Sequence, residues 1–275
     1  MNPVTDLATL LEGYRLSCTA DGKSPQTTRW YLDKLRVFKR YLQETGLRTD
    51  VTRIGISHIR AFLVHLRSQV KTDQNNPNKH ARDEPLSGLT IQGYVRTLKD
   101  FYSWAVREEY MERNPMRRIS TPRTAKVTID TFTDAQIRTL LSAVDVSKPL
   151  GVRDRCILLI LLDSGVRLSE LAGLRVSYTD LERGELRVTG KGHKQRIVPV
   201  GGTVQKSLRR YPNRYRPAPS PPYMDSLLLN RSGTPMSADA IYRMVRRVGQ
   251  RANIRGVRCS PHTFRHTSAK NYLLN

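Results

Sequence analysis

The chain of 275 residues carries 47 Lys and Arg against 24 Asp and Glu, a net charge of +23 that repels itself unless a polyanion neutralises it; nucleic acid is the natural candidate. Three widely spaced cysteines, Cys18, Cys156 and Cys259, suit neither a disulfide framework nor a zinc knuckle, and predict ordinary thiols in a reducing cytoplasm. No run of about 18 apolar residues occurs, and no basic segment precedes an apolar one at the N-terminus, so a membrane-spanning or secreted chain is not expected. The length suits two domains, each burying its own core.

The first predicted helix starts after Ser24 and sets Tyr31, Leu35, Phe38 and Leu42 on one face, with Gly46 as its stop. A shorter one from about Ser57 carries Ile59, Phe62, Leu63 and Leu66. The polar, breaker-rich stretch from Lys71 to Pro85 predicts an exposed loop. From Thr90 a long helix puts Tyr94, Leu98, Phe101, Tyr102 and Ala105 in register and ends before Asn114-Pro115. Aromatic residues at helical spacing form cores far more often than base-stacking platforms, so residues 1–113 are expected to be a helical domain.

Residues 114–131 combine two prolines with Arg117, Arg118, Arg123 and Lys126, and are expected to be a basic linker lying along a phosphate backbone. The second domain, 132–275, opens with a helix capped by Thr133 and Asp134, carrying Ile137, Leu140 and Leu141. The apolar segment from Cys156 predicts a buried helix ending at Gly165. There the period changes: Leu186 and Val188 precede a Gly-Lys-Gly turn, Ile197 and Val200 follow it, and a β-hairpin results. A loop rich in Pro and Tyr, from Tyr211 to Met224, leads to the apolar run Leu227 to Leu229. A basic helix from Ala238 to Ala252 and a last helix from near Pro261 complete the chain.

Three islands place basic, hydrogen-bonding residues where helices or strands end. In SGVRLSELAGLR, Arg167 follows the glycine that closes the apolar helix; in GKGHKQRIVPV, Lys191 stands between two glycines; in HTFRH, His262 and Arg265 share a helix face. Two arginines, a lysine and a histidine without a carboxylate cluster describe a phosphate site, since guanidinium groups grip non-bridging oxygens while lysine or histidine moves a proton. No metal or other cofactor is implied, because Asp163, Glu170 and Asp180 are too scattered to hold magnesium. His262 and His266 at i, i+4 have the spacing of a zinc pair, but a third ligand and the glutamate of that motif are missing.

In their order, GVRLSELAGL, GKGHKQRIVPV and HTFRHTSA resemble the first arginine box, the hairpin lysine and the histidine-to-arginine helix of the tyrosine recombinases, the family of phage and transposon integrases and Xer-type resolvases. The segment SPQTTRWYLDKLRVFKRYL and the helix ending in ERNP resemble that family's core-binding domain. The resemblance implies an α+β, mainly α, fold: a helical SAM-like domain plus a mixed catalytic domain with a small antiparallel sheet, the two gripping duplex DNA from opposite sides. It implies strand exchange through a 3′-phosphotyrosyl intermediate in a tetrameric synapse of protomers, within mobile-element or chromosomal DNA.

By that resemblance Arg167 and Arg265 clamp the scissile phosphate, Lys191 is the general acid toward the 5′ oxygen with Lys194 its nearest rival, and His262 assists proton transfer. The family's nucleophilic tyrosine lies further past the histidine-to-arginine helix than these residues reach, and Tyr272, seven residues past Arg265, fits a packing role. The expectation is therefore a chain that binds DNA but does not cleave it alone. Two rivals are a non-catalytic protein occupying recombination sites and a DNA-relaxing enzyme of the type IB topoisomerase class, against which the compact N-terminal domain speaks.

Overall fold

The computed structural model describes residues 5–68, 70–71, 82–124 and 129–274. The chain divides into two compact units, 1–126 and 127–275. No helix among the described residues is long and apolar enough to cross a membrane. Cys18 and Cys156 are buried and Cys259 half-buried, all three are free, and burial raises the pKa of each thiol.

The first unit is helical: α1 (Leu7–Ala20), α2 (Pro25–Glu44), α3 (Ile56–Ser68) and α4 (Gly88–Arg107). Caps define the starts, with Asp6, Ser24 and Ser87 each accepting a backbone N–H from the first turn of α1, α2 and α4. The aromatic stripes form the core. Phe38 and Phe62 lie 4.8 Å apart, and Tyr14 packs edge-on against Phe101 and Trp104. Each large apolar side chain removed from water there contributes roughly 1.5–3 kcal/mol.

Three features of this unit depart from the sequence pattern. Helix α1 was not foreseen, although Leu7, Leu10, Leu11, Tyr14 and Cys18 are buried at helical spacing. The ends of the expected 71–85 loop pair as short antiparallel strands, β1 (Val70–Lys71) and β2 (Arg82–Pro85), while its middle lies outside the described residues. The stretch expected to be linker begins inside this core, because Met116 and Ile119 are buried in it.

In the second unit α5 (Asp134–Ser142) has the capping box formed by Thr133 and Gln136. Helix α6 (Pro149–Ser164) is the centre, with Cys156, Ile157, Leu158, Ile160 and Leu161 fully buried, and it ends at Gly165 with φ 56°. After α7 (Leu168–Ala172) comes a three-stranded antiparallel sheet, β3 (Thr179–Asp180), β4 (Glu185–Thr189) and β5 (Gln195–Pro199), with Val188 opposite Arg196. Leu186, Val188, Val198 and Val200 point inward, whereas Ile197 is 59% exposed because the pleat turns it to the other face.

Helix α8 (Gly202–Arg214) occupies the start of what the composition reads as a Pro/Tyr loop. Pro212 sits in its last turn, where one lost backbone hydrogen bond is tolerated, and Val204, Leu208 and Tyr211 carry the buried face. Helix α9 (Ala238–Arg251) buries Ile241, Met244, Val245 and Val248 and turns Arg243, Arg246, Arg247 and Arg251 to solvent. In α10 (Pro261–Leu274) Phe264 is fully buried against Phe132, their rings 4.8 Å apart. Tyr272, expected to pack against this unit together with Leu273 or Leu274, is exposed instead, as are both leucines.

Candidate phosphate-binding cleft

The end of α6 fixes the site. Gly165 adopts the left-handed conformation, and a Cβ there would lie 2.9 Å from Ser268 Oγ, so only glycine lets α10 approach so closely. Across this contact Arg265 Nη1 donates to the Gly165 carbonyl and Ser268 Oγ donates to the Asp163 carbonyl at 3.2 Å. Thr267 Oγ1 accepts from the Phe132 backbone at 3.0 Å and fastens the other side of α10. The guanidinium of Arg265 is thus held by backbone that cannot move without unpacking α6.

Arg167, two residues past Gly165, is the N-cap of α7. Glu170, one turn into that helix, accepts from the Arg167 backbone N–H at 2.8 Å and from its Nη1 at 3.0 Å. The Glu170 side chain is 0% exposed, yet the Arg167 side chain remains 59% exposed. From β5, Arg196 reaches the same carboxylate with two bonds, 2.5 and 2.9 Å. Burial alone would raise the Glu170 pKa, but hydrogen bonds from Arg196 and from the backbone and side chain of Arg167 outweigh it and hold the carboxyl at about 2.

Arg167, His262 and Arg265 line one cleft of about 580 Å3, together with Tyr242, Arg258 and Ser260. The sequence islands around Arg167 and His262–Arg265, 95 residues apart, therefore meet. His262 Nε2 lies 2.9 Å from His266 Nε2, so one ring donates and the other accepts. Partial burial, then the charges of His266 and Arg265, push His262 below its ordinary pKa.

Lys191 stands in the helical turn Lys191–His193 between β4 and β5, which Gly192 permits with φ 72° and which the bond from the Gly190 N–H to the Lys194 carbonyl closes at 2.8 Å. The placement of the Lys191 side chain lies outside the described residues. Gly190 packs against Glu170, since a Cβ there would be 3.2 Å from Oε1, which ties the base of this turn to the arginine helix. Arg117, Arg118 and Arg123 are exposed on the first unit, and Lys126 lies outside the described residues.

Five residues of the site were missed as functional. Glu170 stands at the third position after the N-cap, where an acidic residue signals a helix start. Arg196 shares its strand face with Val198 and Val200, and a basic residue in an inward register signals a buried carboxylate partner. His266 was weighed only as a zinc ligand. For Tyr242 and Arg258, whose side chains meet at 2.9 Å, the pattern held no signal.

The chain matches the model of the phage integrase family over residues 130–275 and that of the phage integrase N-terminal SAM-like domain over residues 18–109. It is 35% identical over 197 residues to the tyrosine recombinase XerD of Staphylococcus aureus (strain N315), covering 71% of this chain and 66% of that protein. To XerD of Staphylococcus haemolyticus it is 34% identical, covering 70% and 65%. The chain thus spans just under two thirds of the length of these relatives.

Among solved structures it resembles a lambda integrase dimer bound to a COC′ core site, with TM-score 0.73, 17% identity and coverage of 97% of this chain and 89% of that one. It also resembles a lambda integrase tetramer bound to a Holliday junction, at 0.74 and 17%, covering 98% and 74%. A third neighbour is the Tn1549 transposon integrase in complex with a circular intermediate DNA, at 0.69 and 19%, covering 97% and 86%. At these identities the likeness is one of fold.

Proposed function

The chain belongs to the phage integrase family of tyrosine recombinases, and on that premise we propose that it binds duplex DNA and holds the scissile phosphate during site-specific strand exchange. The observation that carries this reading is the convergence of Arg167, Arg265 and His262 on one cleft of a chain with net charge +23. Two guanidinium groups, one at the N-cap of α7 and one on α10, grip the non-bridging oxygens and stabilise the extra negative charge of a pentacoordinate phosphorus.

In the exchange a tyrosine oxygen attacks phosphorus, the bond to the 5′ oxygen breaks, and Lys191 gives that oxygen its proton. The 3′-phosphotyrosine keeps the energy of the broken ester for rejoining, when a 5′ hydroxyl attacks and the tyrosine leaves. His262, neutral near pH 7, assists proton transfer and donates to the phosphate. Of the described tyrosines, Tyr242 lines the cleft and its hydroxyl accepts from Arg258, while Tyr272 is 85% exposed near the end of α10.

The basic stretch with Arg117, Arg118, Arg123 and Lys126 follows the DNA backbone in this reading, and further protomers on the same DNA complete a synapse as in the lambda integrase tetramer. The test is enrichment from a pool of random duplexes, followed by incubation of the enriched duplex, nicked beside each phosphate in turn, with the chain. Enrichment of one sequence, lost when Arg167 and Arg265 are both changed to Lys, supports the clamp. No enrichment overturns it. A denaturant-resistant adduct absent from Tyr272→Phe would instead make Tyr272 the nucleophile.

A further inference from the structure

An arginine that must grip a phosphate is poorly served by a buried carboxylate three residues away. Left to themselves the two would form a full ion pair, and any phosphate would compete against it. Glu170 is that carboxylate, yet it draws only one side-chain hydrogen bond from Arg167. Its remaining capacity goes elsewhere. Oε1 and Oε2 both accept from the fork of Arg196, and Oε2 also takes the Arg167 backbone N–H. Arg167 is therefore aimed by a single bond and keeps four of its five guanidinium donors, along with its charge.

We propose that Arg196 is a positioning residue for Arg167: by neutralising Glu170 it leaves the Arg167 guanidinium free for phosphate, and by the same bonds it fastens β5 to α7. Arg196 joins the strand that follows the Lys191 turn to the helix that Arg167 caps, so the turn and the arginine keep a fixed relation. Among the described side chains, the charged groups that face Glu170 are Arg167 on its own helix and Arg196 from the sheet, and the Gly190 backbone packs against it. Without Arg196 the carboxylate keeps one of these two cations. Arg167 then turns inward to it, and phosphate binding becomes sensitive to the protonation of Glu170.

This inference rests on the phosphate clamp proposed above, and its test separates the two. Binding of a mixed-sequence 30-base-pair duplex is followed by fluorescence anisotropy from pH 8 to pH 5 for the wild type, Arg167→Gln, Arg196→Gln, and Arg196→Gln combined with Glu170→Gln, each compared with the wild type at the same pH and checked for folding by circular dichroism. Arg196→Gln is expected to lose about tenfold in affinity at pH 8, the size of one charge-assisted contact, and to regain it as the pH falls. The double variant is expected to recover most of the affinity that Arg196→Gln loses, because removing the carboxylate removes the competitor. A double variant no better than Arg196→Gln, or a loss constant with pH, overturns the positioning role and leaves the clamp standing. Unchanged binding by Arg167→Gln overturns both.

Discussion

Arg265 and Gly165 are joined across 100 residues of sequence by a bond from guanidinium to backbone carbonyl, at the point where α6 ends in a left-handed turn. The position of the Arg265 side chain, proposed above to bind phosphate, is thereby set by the packing of two helices and not by the length of its own flexible stem. Gly165→Ala is expected to cost about 1–2 kcal/mol from the positive φ, and more from the clash with Ser268. Combining it with Ser268→Ala should return only the clash. Thermal unfolding of the single and double variants measures this, and a double variant as stable as the wild type would show that the turn itself costs nothing.

The acid limb of stability should report Glu170. Its folded pKa of about 2 lies below the ordinary 4.5, so the stabilisation it brings is complete above that value and is lost as the pH falls toward 2. Glu170→Gln should be less stable than the wild type at pH 7, with the difference shrinking between about pH 4.5 and pH 2. Chemical denaturation at several pH values within this window gives the answer, and a difference that stays constant would place the carboxylate's contribution elsewhere.

His262 should couple DNA binding to pH in the opposite sense. Its pKa is depressed in the free protein, and a bound phosphate favours the charged ring, so affinity should rise as the pH drops below the ordinary histidine value of about 6.5. His262→Gln should flatten that rise, and proton NMR of the ring should show its pKa climbing on addition of DNA. A pKa unmoved by DNA would remove His262 from the cleft's chemistry.

The outer wall of the cleft offers a separate test. Tyr242 accepts a hydrogen bond from Arg258 at 2.9 Å, and both line the space beside Arg265. Arg258→Ala should lower the slope of log affinity against log salt by about 0.9, the share of one neutralised phosphate. Tyr242→Phe should leave the slope unchanged while weakening binding less than about fivefold. Equal slopes in wild type and Arg258→Ala would mean that this arginine meets no phosphate.

The same titration applies to the basic stretch. Replacing Arg117, Arg118, Arg123 and Lys126 by Ala should reduce the salt slope by roughly 3–4 if each meets a phosphate. A wild-type affinity indifferent to salt would sink the electrostatic reading altogether.

Where the pattern in the sequence was strong, structure followed it. The apolar run ending at Gly165, the alternation about Lys191 and the aromatic stripes of α2 and α4 each bury one continuous surface, which periodicity records directly. The islands at Arg167 and His262–Arg265 were legible because chemistry is concentrated at element ends. Glu170 and Arg196 were not, since their meaning lies in a pairing between a helix and a strand 26 residues away. Helix α8 was hidden by the Pro212 of its last turn, and β3 by its length of two residues.

Helix α1 supplies five buried side chains to the first unit, and the Tyr14 hydroxyl donates to Asp100 on α4, yet the family's N-terminal model begins only at residue 18. A fragment cut at residue 18 would expose Phe101 and Trp104 where Tyr14 now covers them. Anyone grafting this unit onto another recombinase must carry the preceding helix with it.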